Sequence, residues 1–254
     1  MSLTAWIDFA VYLARESAEV IRPHFANPRL HVEQKADSSP VTEADRASEQ
    51  RMRELIRRHY PDHGIFGEEY GSENEGAALQ WVLDPIDGTK SFVAGTPQFG
   101  TLIALLRDEE PLLGVISNPV TGQILTGDSQ RALLDGTPVR VRETRALADA
   151  VLLTTDLRAP ERHQSAAGWR DVRDGAAAVY TWGDCHGYHL LSCGGADIMC
   201  DPVMSPWDLY ALIPIVRGAG GVITDWQGND PARGSSIVAA VPQLHGEVIS
   251  RLNP

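Results

Sequence analysis

The sequence predicts a mixed α+β fold with two sheet-centred halves, residues 1–140 and 141–254, joined as one compact unit. Three observations carry this. An amphipathic helix pattern opens the chain, and short apolar runs separated by turn signals follow between residues 100 and 139. Beyond about residue 145, strand and helix patterns alternate. At 254 residues and 27.7 kDa the chain is long enough for a large core.

Charge narrows the function classes. Lys plus Arg is 22 and Asp plus Glu is 34, a formal net charge of -12. Such a chain lacks the basic face that nucleic acid or an anionic membrane surface requires, so neither is expected as a partner. Cys185, Cys193 and Cys200 cannot all pair with one another and show no CxxC spacing, which reads as reduced thiols in a cytoplasmic protein. No apolar run is long enough to span a bilayer. The stretch 1–15 carries Asp8 and no basic leader, and is not read as a secretory signal.

The elements follow in order. Trp6, Phe9, Ala10, Leu13, Ala14, Ser17, Val20 and Ile21 recur at three and four residues, the face of a helix capped by Ser2 or Thr4 and ended by Pro23. Residues 32–40 are polar and read as a mobile loop. Thr42 to Asp45 resembles a capping box opening a second helix, with Met52, Leu55 and Ile56 inside and Arg51, Arg53, Arg57 and Arg58 outside. Short strands are expected at Ile65-Phe66 and Trp81-Val82-Leu83, the latter stopped by Asp84-Pro85. Further strands are expected at 100–106, 112–116 and 124–127, with a hairpin around Asp135-Gly136. In the second half the pattern gives strands at 151–155, 198–200, 222–225 and 237–240. Helices are expected at 184–192, 206–219 and 244–252.

The strongest chemical signal is Asp84-Pro85-Ile86-Asp87-Gly88-Thr89. Two carboxylates three residues apart across a stiff proline can point at one centre, and hard divalent cations take oxygen ligands. Gly88-Thr89 can open a helix whose free N–H groups suit a phosphate. Cation ligands beside a phosphate cradle are the parts needed for phosphoryl transfer to water. The same string also makes an ordinary turn, because Asp, Pro and Gly are all turn formers.

Three motifs in order choose between these readings. Gly67-Glu68-Glu69, then Trp81 to Thr89, then Trp207-Asp208 with Gly220 to Asp225, together resemble the inositol monophosphatase family over nearly the whole chain. The resemblance implies a layered αβαβα sandwich. It also implies Mg²⁺-dependent hydrolysis of phosphate monoesters with two or three ions, lithium inhibition and, in many members, a homodimer. By position it implies Glu68, Asp84, Asp87, Asp208 and the Ile86 carbonyl as metal ligands. Glu68 and Thr89 would orient and deprotonate the attacking water, Asp45 would hydrogen-bond the threonine, and Lys35 would belong to a loop over the metals. The N–H groups of Gly88 and Thr89 would hold the phosphate.

The substrate is read from other residues. Thr89-Lys90-Ser91-Phe92 resembles the histidinol-phosphate branch; inositol-specific members usually carry Thr-Thr-Asn-Phe there. The run 207–216 is similar to that branch as well. The segment Trp182-Gly183-Asp184 matches a substrate contact, and Asp184 would suit a cationic group such as an ammonium. Asp184 also reads as an N-cap of the following helix. Asp201 matches a second acidic substrate position. Arg217 stands where members commonly carry Glu, and His186 and His189 read as a polar helix face. The expected substrate is therefore L-histidinol phosphate, with inositol 1-phosphate or a broader sugar phosphate as the alternative. A metal-binding regulatory module is the non-enzyme alternative, against which the intact Glu68, Asp84, Asp87, Thr89 and Asp208 speak.

Overall fold

The structure, a computed structural model, describes residues 2–34 and 40–254. Helix α1 (Leu3–Ile21) starts where the Ser2 hydroxyl accepts the Ala5 N–H, and buries the expected apolar face. Strands β1 (Val32–Gln34) and β2 (Pro40–Thr42) pair as an antiparallel ladder. Part of the expected loop is therefore strand. Its β1 side chains are all exposed, so backbone pairing rather than apolar burial holds it and no periodicity announces it. Lys35 lies outside the described residues.

Helix α2 (Glu43–His59) opens on the expected capping box, Thr42 N–H donating to Asp45 at 2.8 Å. Arg53, expected outside, is buried at 4% exposure because Glu49 on the preceding turn neutralises it. Strands β3 (Gly64–Gly67), β4 (Gly71–Glu73) and β5 (Leu79–Asp87) and the short helix α3 (Thr89–Val93) follow. The antiparallel run β6 (Gly100–Arg107), β7 (Glu110–Ser117), β8 (Ile124–Gly127), β9 (Ala132–Leu134) and β10 (Thr137–Val139) completes the first half. The sheet order is β10-β9-β8-β7-β6-β5-β3-β4. Asp135 and Gly136 both take positive φ, 49° and 81°, at the expected hairpin turn.

The second half contains β11 (Val151–Leu153), α4 (Ala159–His163), α5 (Ala166–Gly175), β12 (Ala178–Tyr180), α6 (Asp184–Ser192) and β13 (Ile198–Asp201). Next come α7 (Pro206–Leu209), α8 (Leu212–Gly218), β14 (Val222–Thr224), β15 (Ile237–Ala240) and α9 (Pro242–Leu252). The sheet order here is β12-β11-β13-β15-β14. The single helix expected over 206–219 is two. Pro214 has no N–H for the Tyr210 carbonyl and its ring crowds that position, which breaks the helix at Tyr210-Ala211.

Strand alternation sorts these elements into layers. Trp81, Leu83, Ile103, Leu105 and Val115 face α1 and α2, whereas Val82, Leu102, Ala104 and Ile116 face α6 and α8. The far side of α6 and α8 meets Leu153, Met199, Ile223 and Ala239 of the second sheet. The other face of that sheet, Leu152, Ile198, Val238 and Ala240, packs on Trp169, Val172, Leu244 and Val248 of α5 and α9. The result is the expected αβαβα sandwich, with α6 and α8 shared between both sheets.

Glycines let the central helix pair approach the large sheet. A Cβ on Gly114 would sit 1.9 Å from the Ala211 carbonyl oxygen, and one on Gly127 2.4 Å from Ile215 Cα. Gly114→Ala is expected to destabilise by about 1–3 kcal/mol through overpacking. Gly246→Ala, exposed in α9 with no atom within 4 Å of the new methyl, should instead stabilise by about 0.4–1 kcal/mol. Urea unfolding of both variants checks the pair, and equal effects would contradict the packing described.

Candidate functional site

The site forms where β5 loses its regular ladder. The strand does not stop at Asp84 as expected; it continues to Asp87 through an irregularity, with Asp84 opposite Leu102 and Asp87 opposite Gly100. Pro85 has no N–H to give the ladder. The Thr101 hydroxyl holds the Pro85 carbonyl at 2.8 Å, and Asp84 accepts the Ile86 N–H at 3.0 Å. These bonds fix the aim of the first carboxylate. The second, Asp87, accepts the Cys185 N–H from the start of α6.

Asp208 arrives from the other half of the chain. Ser205 N–H donates to its carboxylate at 2.9 Å in a capping box at the start of α7. Its neighbour Trp207 packs edge-on against Phe66 of β3, with ring centroids 5.5 Å apart. One carboxylate oxygen from each of Asp84, Asp87 and Asp208 then lies within 4.8 Å of the others, the one such acidic group found among the described residues. Glu68 follows β3, its N–H on the Leu83 carbonyl at 3.2 Å, and its carboxylate is near enough to Asp84 to raise it.

Crowding shows in the titration of these groups. Burial first, then the neighbouring Glu68, Asp87 and Asp208, push Asp84 well above the usual carboxylate range. Asp87 is raised by burial and by Asp184 and Asp208. Burial pushes Asp208 up to about 7, with Glu68 and Asp184 adding to it and the Ser205 N–H opposing. A donor set of carboxylates, Asp84 buried and Asp87 and Asp208 half-buried, is suited to a hard divalent cation, whose charge would remove the repulsion.

The remaining expected residues fall around this cluster. The Thr89 hydroxyl donates to the Ile86 carbonyl at 2.9 Å. The expected bond between Thr89 and Asp45 is not made; Asp45 Oδ2 instead accepts both the N–H and the hydroxyl of Thr42, at 2.8 and 2.6 Å. The capping box thus claims that oxygen, and burial raises Asp45 to about 6. Gly88 takes φ 85°, and a Cβ there would meet Asp184 Oδ2 at 3.1 Å. The helix after it, α3, is five residues long and brings little macrodipole, so any anion there would rely on the individual N–H groups.

Asp184 is not an N-cap. Gly183 holds that position, and Asp184 itself takes φ 49° with its N–H on the Thr155 hydroxyl at 2.8 Å. Gly183 is required because a Cβ would lie 2.2 Å from Thr155 Cα. A left-handed aspartate stores strain of the kind found at ligand sites. Burial and Asp201 push its carboxyl up to about 7, against the pull of Lys90. Asp201 is buried and already accepts Thr155 N–H and Tyr188 O–H, at 3.1 and 3.0 Å. A cavity of about 270 Å³ joins Asp87 and Asp208 to Asp156, Asp184, Asp201, Lys90 and His163. A second, of about 420 Å³, runs from Gly88, Thr89 and Lys90 to Asp156 and Asp184.

Thr155, Asp156, His163 and Tyr188 had no motif to announce them; only the spacing of Tyr188 four residues after Asp184 was visible. Arg217 lies in a separate groove and reaches Asp230 at 3.8 Å. His186 and His189 stack with centroids 6.2 Å apart, and burial lowers both. The three cysteines are free thiols, and no described helix is long and apolar enough to cross a membrane.

Comparison with known proteins bears directly on this geometry. Residues 2–253 match the profile of the inositol monophosphatase family. The chain is 36% identical over 244 residues to a histidinol-phosphatase of Chlorobaculum parvum, covering 94% of this chain and 93% of that one. It is 38% identical over 250 residues to a histidinol-phosphatase of Mycobacterium tuberculosis, covering 96% of each. The solved inositol monophosphatase of Zymomonas mobilis superposes over the full length of both chains with a TM-score of 0.89 at 36% identity. The match along the whole sequence and the shared five-layer fold make this chain a member of the inositol monophosphatase family.

Proposed function

We propose that this protein is a Mg²⁺-dependent phosphomonoesterase that converts L-histidinol phosphate and water to L-histidinol and inorganic phosphate. The observation that carries the substrate is the acidic wall of the cavity beside the cluster. Asp156, Asp184 and Asp201 stand there with Lys90 as the one lysine among the lining residues. Carboxylates can also accept sugar hydroxyls, but three of them with one lysine suit an ammonium and an imidazolium better than a neutral ring. The histidinol-phosphatase relatives support the same choice. Inositol 1-phosphate or a broader sugar phosphate is the competing substrate, supported by the family at large.

Glu68, Asp84, Asp87, Asp208 and the Ile86 carbonyl would hold two or three Mg²⁺ ions. Once bound, these would neutralise phosphate charge and make water more acidic near neutral pH. The side chains do the rest. Gly88 and Thr89 N–H groups receive phosphate oxygens, and Glu68 takes a proton from the attacking water, with Thr89 orienting it. Asp45 stays with Thr42 in the capping box rather than with Thr89. The new P–O bond forms as the ester P–O bond breaks, and the departing histidinol oxygen gains a proton. Asp184, with Gly183 allowing its approach, pairs with the substrate ammonium, and Asp201 fixes the wall through Tyr188 and Thr155. A cytoplasmic homodimer is the assembly we infer from the family resemblance.

A substrate panel with Mg²⁺ tests the reaction. Asp87→Asn should lower phosphate release at least ~100-fold, since it removes a ligand and its charge; equal turnover would refute the assignment. Asp184→Ala should reduce kcat/KM for histidinol phosphate by roughly 1.5–3 kcal/mol in transition-state terms. Inositol 1-phosphate hydrolysis should change far less, and an unaltered preference removes Asp184 from substrate choice.

The pH dependence has a definite sign. Asp84, Asp87, Asp184 and Asp208 hold protons in the metal-free fold at pH values where the unfolded chain has lost them. For Asp184 and Asp208 this stabilisation is complete below the ordinary value of 3.8 and is lost as pH rises through about 7; Asp84 and Asp87 act in the same direction. In EDTA, the wild-type melting temperature should therefore fall relative to that of Asp208→Asn between pH 5 and 8. Mg²⁺ affinity should rise over the same range. Parallel wild-type and mutant pH profiles would contradict this.

A further inference from the structure

Glu49, one turn before Arg53 on α2, has no exposed surface and belongs to none of the motifs read from the sequence. Its carboxylate accepts the Glu69 N–H at 2.7 Å and the Tyr70 N–H at 3.2 Å, from the turn that leaves β3. Arg53 donates to the same carboxylate through Nε at 2.8 Å. The guanidinium continues to the Gly71 carbonyl and, at 3.5 Å, to Glu73 on β4, and lies over the Tyr70 ring at 5.9 Å. The turn over residues 67–71 is thus gripped at its N–H groups by one side chain and at its far carbonyl by the other.

This grip explains the glycine of Gly67-Glu68-Glu69. A Cβ on Gly67 would lie 2.1 Å from Glu49 Oε1, so the carboxylate occupies the space that any other residue would fill. Glu68 sits between two fixed points. On one side its own N–H and Gly67 are tied to Leu83 of β5; on the other, Glu69 and Tyr70 are tied to Glu49. The backbone that carries its carboxylate is thereby held on both sides.

We infer that Glu49, clamped by Arg53, is a positioning residue that sets Glu68 for cation binding without touching the cation itself. Burying a carboxylate and a guanidinium together is not an efficient way to add stability. A pair whose oxygens and nitrogens converge on the turn of a single ligand instead fixes that ligand's aim, a role whose loss typically lowers metal affinity 10–100-fold. The inference rests on the proposed role of Glu68 as a cation ligand.

The test is calorimetric titration of the metal-stripped full chain with Mg²⁺, in wild type, Glu49→Gln, Glu68→Gln and the double variant. Glu49→Gln keeps the volume but loses an acceptor for one of its donors. It is expected to weaken Mg²⁺ binding about 10–100-fold and raise the Mg²⁺ needed for half-maximal phosphate release by the same factor. The value of kcat at saturating Mg²⁺ should stay within about threefold of wild type. In the Glu68→Gln background, Glu49→Gln should add nothing. Unchanged Mg²⁺ affinity with a lowered metal-free melting temperature would make Glu49 purely structural and overturn the inference. So would a loss of equal size in both backgrounds. Wild-type Mg²⁺ affinity in Glu68→Gln alone would instead overturn the underlying role of Glu68. Should Glu49→Gln not fold, Arg53→Lys decides by the same criteria. It keeps the charge and loses the fork to Gly71, and it should weaken Mg²⁺ binding in the same direction.

Discussion

Three carboxylates whose oxygens lie within 4.8 Å of one another, one buried and two half-buried, repel one another strongly when all are charged, and a cation joining them would relieve that repulsion. Burial first and the neighbouring carboxylates second raise Asp84, Asp87 and Asp208 above the usual carboxylate range. The rest of the structure depends on this unfavourable contact being held in place. Thr101 and the Ile86 N–H fix one end of β5, Cys185 N–H fixes Asp87, and Ser205 N–H fixes Asp208. Each is a backbone or hydroxyl donor that leaves the cluster's own charge to be balanced by the ligand.

The five-layer architecture supplies these donors from both halves of the chain. The central helices α6 and α8 are buried against both sheets, so the beginnings of α6 and α7 are set against the irregular end of β5. Gly114 and Gly127 allow that close approach. Asp184 is carried by the same helix start as Cys185. Its cavity adjoins the cluster directly, so the proposed substrate contact and the proposed cation ligands lie within one turn of chain.

Much of this was legible in the sequence, for reasons tied to residue type. Asp84-Pro85-Ile86-Asp87 is readable because cation chemistry dictates carboxylates and the proline constrains their spacing. The Ser2 and Thr42 caps were visible as side-chain chemistry at helix starts. What escaped was fixed by partners distant in sequence. Asp184 looked like a cap, yet Thr155, from the segment that follows β11, holds its N–H in a left-handed backbone. Arg53 looked exposed because an amphipathic pattern cannot show that Glu49 will neutralise it inside. Pro214 was a readable break in the helix over 206–219, and the regular apolar spacing masked it. Thr89 followed the motif, while its hydroxyl chose the nearer Ile86 carbonyl over Asp45.

Anomalous diffraction from crystals soaked in Mn²⁺, a hard cation of similar preference to Mg²⁺, addresses the convergence of these carboxylates most directly. A strong peak is expected among the Asp84, Asp87 and Asp208 oxygens, with Glu68 at its edge. A saturating soak that leaves that position without anomalous density, or that fills a different site first, would contradict it.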